Sequence, residues 1–180
     1  LAPFHASART LGVPGSYPFI QVGIMAASTG DTVLVQPGRY LEPIDFKGKN
    51  IVVGSLFLTT RDSTYISTTI IDAGQYDTVA VFKSGETSAA ELCGFTLTNG
   101  RSSAGVTNPG NIGGGVYCLN SSPYLNHLIV EGNFSALDGG GMYLENSNSV
   151  IEYCVIRNNR AMAGGGLMLY KGNYEVRNCI

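Results

Sequence analysis

Six aspartates, two histidines, four cysteines and three glycine triplets are the residues of this 180-residue chain with the means to do chemistry, and their spacing decides which could act together. Acid–base cleavage of a glycosidic bond needs two carboxylates held within roughly 5–10 Å of each other. Asp31, Asp45, Asp62, Asp72, Asp77 and Asp138 are instead scattered along the chain, mostly in turn-like contexts such as "GDT" and "IIDAG". They read as turn or ladder residues, the role that a short carboxylate hydrogen-bonding its own backbone fills best. His5 and His127 are isolated, so neither a metal site nor an acid–base pair is expected from them. The triplets at Gly113, Gly139 and Gly164 lack the following helix start and Lys-Ser/Thr of a phosphate loop. They are expected to let the backbone turn tightly and neighbouring segments approach. No catalytic residue, metal or cofactor is assigned.

The triplets head a line written three times: "GGGVYCLNSSPYLNHLIVEGN", "GGGMYLENSNSVIEYCVIRNN" and "GGGLMLYKGNYEVRNCI", at spacings of 26 and then 25 residues. Val116, Met142 and Leu167 correspond; so do Cys118, Leu144 and Leu169, and Leu125, Ile151 and Val176. Apolar positions alternating with polar or variable ones mark short strands with one buried face. A period near 25 residues with two or three strands in it is the pattern of a parallel β-helix, in which each coil hides its apolar face on its neighbours. A leucine-rich repeat would need its own leucine frame and a helical segment, and shows neither here.

Stacked coils place corresponding side chains ~4.8 Å apart. Opposite charges therefore face each other at Glu131 and Arg157 and at Glu152 and Arg177. Asn120 stacks on Asn146, and Asn133 on Asn159, at turns where asparagine tolerates left-handed backbone; these four are expected to form a structural amide ladder. Cys154 and Cys179 share one repeat position and are expected as inward thiols on adjacent rungs. Their in-register spacing slightly exceeds what a disulfide prefers. Cys118 is expected to be a buried thiol. Tyr117, Tyr143 and Met168 make one outward row, and Leu119, Glu145 and Tyr170 the next.

The front half reads as earlier, less regular coils, with strands in "GDTVLVQPG", "NIVVGS" and "TIIDAGQYDTVAVFKSG", for about six coils in all. "SYPFIQVGIMAASTG" places Ile20, Ile24 and Ala27 on one face of a capping helix near residues 17–28. The domain organisation expected is an N-terminal tail over 1–16 and one β-helix domain over 17–180 that breaks off in mid-repeat.

Charged residues are only 13% of the chain, the formal charge is −2 and the pI is about 5.6, which gives no electrostatic reason to bind nucleic acid or anionic lipid. No run approaches the roughly 18 apolar residues of a membrane span. The chain opens on Leu1, and "HASA" has the small-x-small look of a processed export signal.

Through "YPFIQVGIMAASTGDTVLVQPGRYLEPIDFKGKNIVV" and the "GGGVYCLNSSP" repeats, the sequence resembles secreted bacterial right-handed parallel β-helix repeat proteins of the pectin-lyase-like superfamily. The resemblance runs from Thr10 nearly to the end. It implies an all-β, right-handed solenoid, in line with the usual crossover preference. It says less about activity, because that superfamily holds polysaccharide lyases, glycoside hydrolases and surface proteins without known catalysis. The function expected is a noncatalytic, secreted or cell-surface scaffold that meets polysaccharide or another surface component through Tyr117, Tyr143, Glu145 and Tyr170. The alternative is the N-terminal part of a lyase or hydrolase whose catalytic coils lie elsewhere.

Overall fold

The architecture is set by short β-branched and leucine-rich runs, many of them cut off by a residue whose backbone turns left-handed. Asn120, Asn146 and Lys171 carry φ near +50°, as do His127, Tyr153 and Asn178 at a second bend. Non-glycine residues enter that region at a cost of about 1–2 kcal/mol each, which the pairing of the flanking strands offsets. The computed structural model describes residues 7–102 and 112–180.

The front half comprises β1 (Thr10–Val13), α1 (Ile20–Ala26), β2 (Thr32–Val35), β3 (Gly38–Tyr40), β4 (Ile44–Asp45), β5 (Val52–Ser55), α2 (Phe57–Thr60), α3 (Thr64–Thr68), β6 (Thr69–Asp72), β7 (Ala80–Phe82), β8 (Glu91–Cys93), β9 (Thr96–Thr98) and β10 (Arg101–Ser102). The rest comprises β11 (Val116–Leu119), β12 (Tyr124–Asn126), β13 (Ile129–Glu131), β14 (Phe134–Ser135), β15 (Met142–Ser147), β16 (Val150–Glu152), β17 (Val155–Arg157), β18 (Leu167–Gly172) and β19 (Glu175–Arg177).

Three parallel sheets take up nearly all the strands. Sheet A runs β1-β2-β5-β8-β12-β16-β19, sheet B runs β17-β13-β9-β6-β3, and sheet C runs β18-β15-β11-β7-β4. A small fourth sheet pairs β10 with β14. From β2 onward the chain visits A, B and C in that order and then returns to A one strand further along. All-β, mostly parallel structure was expected, and it is what forms. Two boundaries differ from expectation. Thr10–Val13, read as tail, pairs in parallel with Thr32–Val35, because Leu11 and Val13 supply the alternation that buries one face. The helix is also shorter than 17–28. The first six residues, including His5 and the start of "HASA", lie outside the described residues.

Register follows the repeat. Val116 pairs with Met142 and Met142 with Leu167, while Leu125 pairs with Ile151 and Ile151 with Val176. Val116, Met142, Leu125 and Ile151 join Val33, Val53, Leu92, Leu97, Val130 and Phe46 in one core, where the Phe46 and Phe82 rings lie 4.3 Å apart; Leu167 packs against its margin and Val176 is exposed. The triplets make the stacking possible. Gly113, Gly139 and Gly164 turn with φ of 68°, 64° and 58°. A Cβ on Gly114 would come within 2.5 Å of Gly140 O, and one on Gly115 within 2.5 Å of Gly141 O, so no side chain fits between these rungs.

Helix α1 lays Ile20, Gly23 and Ile24 on the first strands. It is held at both ends by side chains of the strand region that follows. Glu42 accepts from Ile20 N (2.8 Å) and Gln21 N (2.9 Å) at the N-terminus, and Lys49 Nζ donates to Ile24 O, Met25 O and Ala27 O at the C-terminus. Each charge faces the helix end whose dipole it complements. Between β5 and β6 the chain leaves the sheet rhythm: α2 covers part of the outer face of sheet A, where Leu58 lies over Gly54, and α3 packs against β6 and β9 of sheet B.

Candidate functional site

Sheet C carries the residues expected to meet a ligand. Tyr117 pairs with Tyr143 and Tyr143 with Met168, as an outward row that Val81 extends. The two tyrosines are nevertheless buried, at 5% and 7% exposure, in a second apolar cluster with Val81, Ile112, Leu119 and Met168. This corrects the expectation of an open aromatic platform: alternation fixes which face a side chain takes, and says nothing about what covers that face. Their rings stack on each other with centroids 6.2 Å apart. Tyr143 Oη donates to Glu145 Oε2 at 2.9 Å. Burial first, and that bond second, pushes the Tyr143 phenol well above the usual tyrosine range; burial also raises the Tyr117 phenol.

Glu145 and Tyr170 are in-register neighbours on β15 and β18, and here solvent is reached. Tyr170 is 47% exposed, with Lys171 Nζ 4.8 Å from its ring centroid. Immediately after these residues the chain turns from sheet C toward sheet A, and the turns line an open groove of about 460 Å³. Asn120, Asn146, Asn148, Ser122, Thr87 and Ser88 supply amides and hydroxyls to it. Asn146 Nδ2 donates to Asn120 Oδ1 at 2.6 Å, which leaves the Asn146 carbonyl and the Asn120 amide hydrogens to the groove. Glu86 is the acid of this lining, but its carboxylate is buried and fully engaged. It accepts from Gly48 N (2.7 Å), Ser84 N (2.9 Å) and Ser121 Oγ (2.7 Å). What the groove offers a ligand is therefore neutral hydrogen-bonding capacity.

The other asparagine pair is interior. Asn133, 2% exposed, donates to Leu97 O (3.1 Å) and Asn159 Oδ1 (3.0 Å) and accepts from Gly100 N (2.8 Å). It holds backbone and presents nothing outward.

A second polar cluster, on the outer face of sheet A, escaped sequence reasoning. Asn126 Nδ2 donates to Glu91 Oε1 (2.8 Å), and Asn126 Oδ1 meets His127 Nδ1 (2.9 Å). With the amide nitrogen committed to a carboxylate, the amide oxygen faces His127, which sets the neutral imidazole with its proton on Nδ1. Tyr124 Oη donates to Glu152 Oε2 at 3.0 Å; burial, then that bond, pushes the Tyr124 phenol up to about 12. His127 is not isolated. Its ring lies between Phe57, with centroids 4.4 Å apart, and Tyr153, at 4.9 Å. Burial, and then Arg61, lowers its pKa. The signal available in the sequence was two outward in-register pairs, Glu91 with Tyr124 and Asn126 with Glu152; the contribution of Phe57 arrives through α2 and follows no repeat.

Among the described residues, no group of three or more His, Cys, Asp or Glu side chains is arranged to hold a metal ion, and no helix is long and apolar enough to cross a membrane. No protein-family model, curated protein or solved structure matches the chain.

Proposed function

We propose that this chain is a right-handed parallel β-helix of the pectin-lyase-like kind, about six coils long with α1 as its N-terminal cap. In this reading it is a noncatalytic, secreted or cell-surface scaffold that binds polysaccharide on the edge between sheets C and A. The cyclic visiting of A, B and C supports the solenoid. The observation that carries the binding role is the open groove lined with side-chain amides and hydroxyls of Asn120, Asn146, Asn148 and Ser122. Neutral donors and acceptors in an open channel suit the hydroxyls of a sugar chain, and Tyr170, in register with Glu145 next to Asn146, offers an exposed ring. Glu145 stands next to that ring as an acceptor.

Retention on a panel of immobilised polysaccharides tests this. Tyr170→Ala combined with Asn146→Ala is expected to weaken retention on whichever glycan binds by about tenfold, corresponding to loss of one or two hydrogen bonds and a ring contact. Unchanged retention, with the fold intact by circular dichroism, would leave the rod as a spacer.

A second reading, part of a polysaccharide lyase or glycoside hydrolase, is favoured by one observation: Glu91, Tyr124, Glu152 and His127 gather on the outer face of sheet A. Assaying the same panel for unsaturated products and new reducing ends separates the two. Turnover that disappears in Glu152→Gln would establish the enzyme.

A further inference from the structure

Three successive rungs line the groove between sheets C and A: residues 85–88 on the first, 120–122 on the second, and Asn146 with Asn148 on the third. Bonds at one bend tie each rung to the next. Ser122 N donates to Glu86 O (2.7 Å), Asn120 N to Glu145 O (3.1 Å) and Asn148 N to Ser122 Oγ (3.0 Å). Equivalent groups therefore recur every ~4.8 Å, and the lining extends ~10 Å along the direction in which the strands stack. Asn148 Oδ1 takes Asn173 N (3.1 Å), which leaves the Asn148 amide hydrogens to a ligand, and Ser122 keeps its hydroxyl hydrogen to give. With the amide hydrogens of Asn120, the free capacity of the lining is mostly that of a donor.

Donors alone would take a carboxylate or a sulfate as readily as a hydroxyl. The charge beneath them decides between these. Glu86 lines the same groove at 1% exposure, and the groups bonded to it, Gly48 N, Ser84 N and Ser121 Oγ, all donate. Among the described residues, no lysine or arginine forms an ion pair with it. Hydrogen bonds satisfy this carboxylate without cancelling its charge. Lys171, next in the column of Asn120 and Asn146, holds its Nζ over the Tyr170 ring and is not part of the lining.

We propose that the groove selects an uncharged, extended polysaccharide and rejects uronate-rich and sulfated chains, with Glu86 as the residue that sets the rejection. The proposal rests on the reading of this groove as a glycan site and adds the class of glycan. The sugar chain lies along the stacking direction, its hydroxyl oxygens accept from Asn120, Ser122 and Asn148, and a hydroxyl donates to Asn146 Oδ1. A carboxylate in the same place would gain the same bonds but would face a like charge that no cation offsets.

Glycans of like backbone and different charge test this: hydroxyethyl cellulose against carboxymethyl cellulose, and methyl-esterified homogalacturonan against the same polymer after saponification, each immobilised and probed with the whole chain at neutral pH. The neutral member of at least one pair should retain the chain about tenfold more strongly than its acidic partner. About 0.5 M NaCl should narrow that gap without weakening retention on the neutral member. Asn148→Lys, at an exposed turn, brings a cation into the groove and should erase or invert the gap. Glu86→Gln should narrow it, while Glu131→Gln, which removes the same charge from sheet B, should leave it unchanged. Equal or stronger retention on the acidic members would overturn the charge selection and leave the glycan reading standing. So would a gap that Asn148→Lys does not move, or one that Glu131→Gln narrows as far as Glu86→Gln does. Should neither member of either pair hold the chain, the glycan reading falls, and this proposal with it. The wild-type pairs and Asn148→Lys decide the matter even where Glu86→Gln fails to fold.

Discussion

Phe57 occupies the space that a side chain at position 94 would need. Gly94 has φ of 81°, and a Cβ built on it would lie 2.9 Å from Phe57 Cβ and 2.5 Å from Ser55 Oγ. At the equivalent bend of the next two rungs stand His127 and Tyr153, whose rings continue the column that Phe57 begins. The α2 excursion thus supplies from outside the repeat the ring that the repeat leaves out.

Gly94→Ala should therefore destabilise the chain by about 2–4 kcal/mol, from the left-handed backbone and the overlap together. Urea unfolding gives the number. Adding Ser55→Ala removes the hydroxyl that makes the closest overlap, so the double variant should be less destabilised than the sum of the single changes by about 1 kcal/mol.

Helix α1 should depend on its two clamps. Glu42→Gln replaces a carboxylate that takes two backbone N–H groups and is expected to cost about 1–2 kcal/mol. Lys49→Met removes the donor shared by three carbonyls and should cost about 1 kcal/mol. In both variants, amide exchange should accelerate over 20–26 and leave sheet B unchanged. Uniform acceleration throughout would mean that the helix is not a separately opening unit.

Acid sensitivity should trace in part to Asp31. Its carboxylate accepts from Arg9 Nη2 (2.6 Å), Arg9 Nε (3.1 Å), Arg9 N (2.8 Å) and Ser28 N (2.9 Å), and the Arg9 guanidinium foremost holds it well below the usual carboxylate range. A group whose folded pKa is depressed contributes stability above its unfolded value of about 4, and that contribution drains away as pH falls from there toward the folded pKa. Asp31→Asn should be less stable than wild type at pH 6 and lose less between pH 4 and pH 2. Parallel stability profiles for the two proteins over that range would show that the pairing is energetically silent.

The stacking of one repeat on the next was legible because in-register strands turn sequence correspondence into contact. Arg157 Nε meets Glu131 Oε2 at 2.8 Å and Arg177 Nη2 lies 3.5 Å from Glu152 Oε2, as the spacing predicts. The burial of Tyr117 and Tyr143 was not legible, since a period of two assigns a face and carries no information on its cover. Nor was the His127 stack, because Phe57 reaches it through a segment outside the repeat. Nor was the strand of Leu11 and Val13, because four residues give too short a run for their alternation to stand out.

The burial of the tyrosine row leads to a prediction opposite to the one its outward register suggests. Tyr117→Ala with Tyr143→Ala should not leave the fold untouched; removing two buried rings is expected to cost more than about 3 kcal/mol. Tyr143→Phe, which keeps the ring and loses only the bond to Glu145, should cost about 1 kcal/mol. Denaturant midpoints for the two variants would show a wide gap if packing dominates, and similar values if the hydroxyl bond does.

The two asparagine pairs should behave in opposite ways, although both arise from the same repeat logic. Asn133 is enclosed, and its amide satisfies Gly100 N, Leu97 O and Asn159 Oδ1 at once. Asn133→Ala would strand a buried backbone donor and acceptor, at a cost of about 2–4 kcal/mol. Asn120 is exposed, and its side chain accepts from that of the exposed Asn146. Water replaces that bond when Asn120→Ala removes it, so the cost should stay within about 0.5 kcal/mol. Asn133→Asp sharpens the contrast, because a carboxylate can still accept from Gly100 N but cannot donate to Leu97 O, and its charge would be buried. It should be at least as damaging as alanine at pH 7 and recover partly as the pH is lowered and the acid regains a donor proton. Equal stabilities for Asn133→Ala and Asn120→Ala would mean that the interior pair carries no more of the fold than the groove pair does.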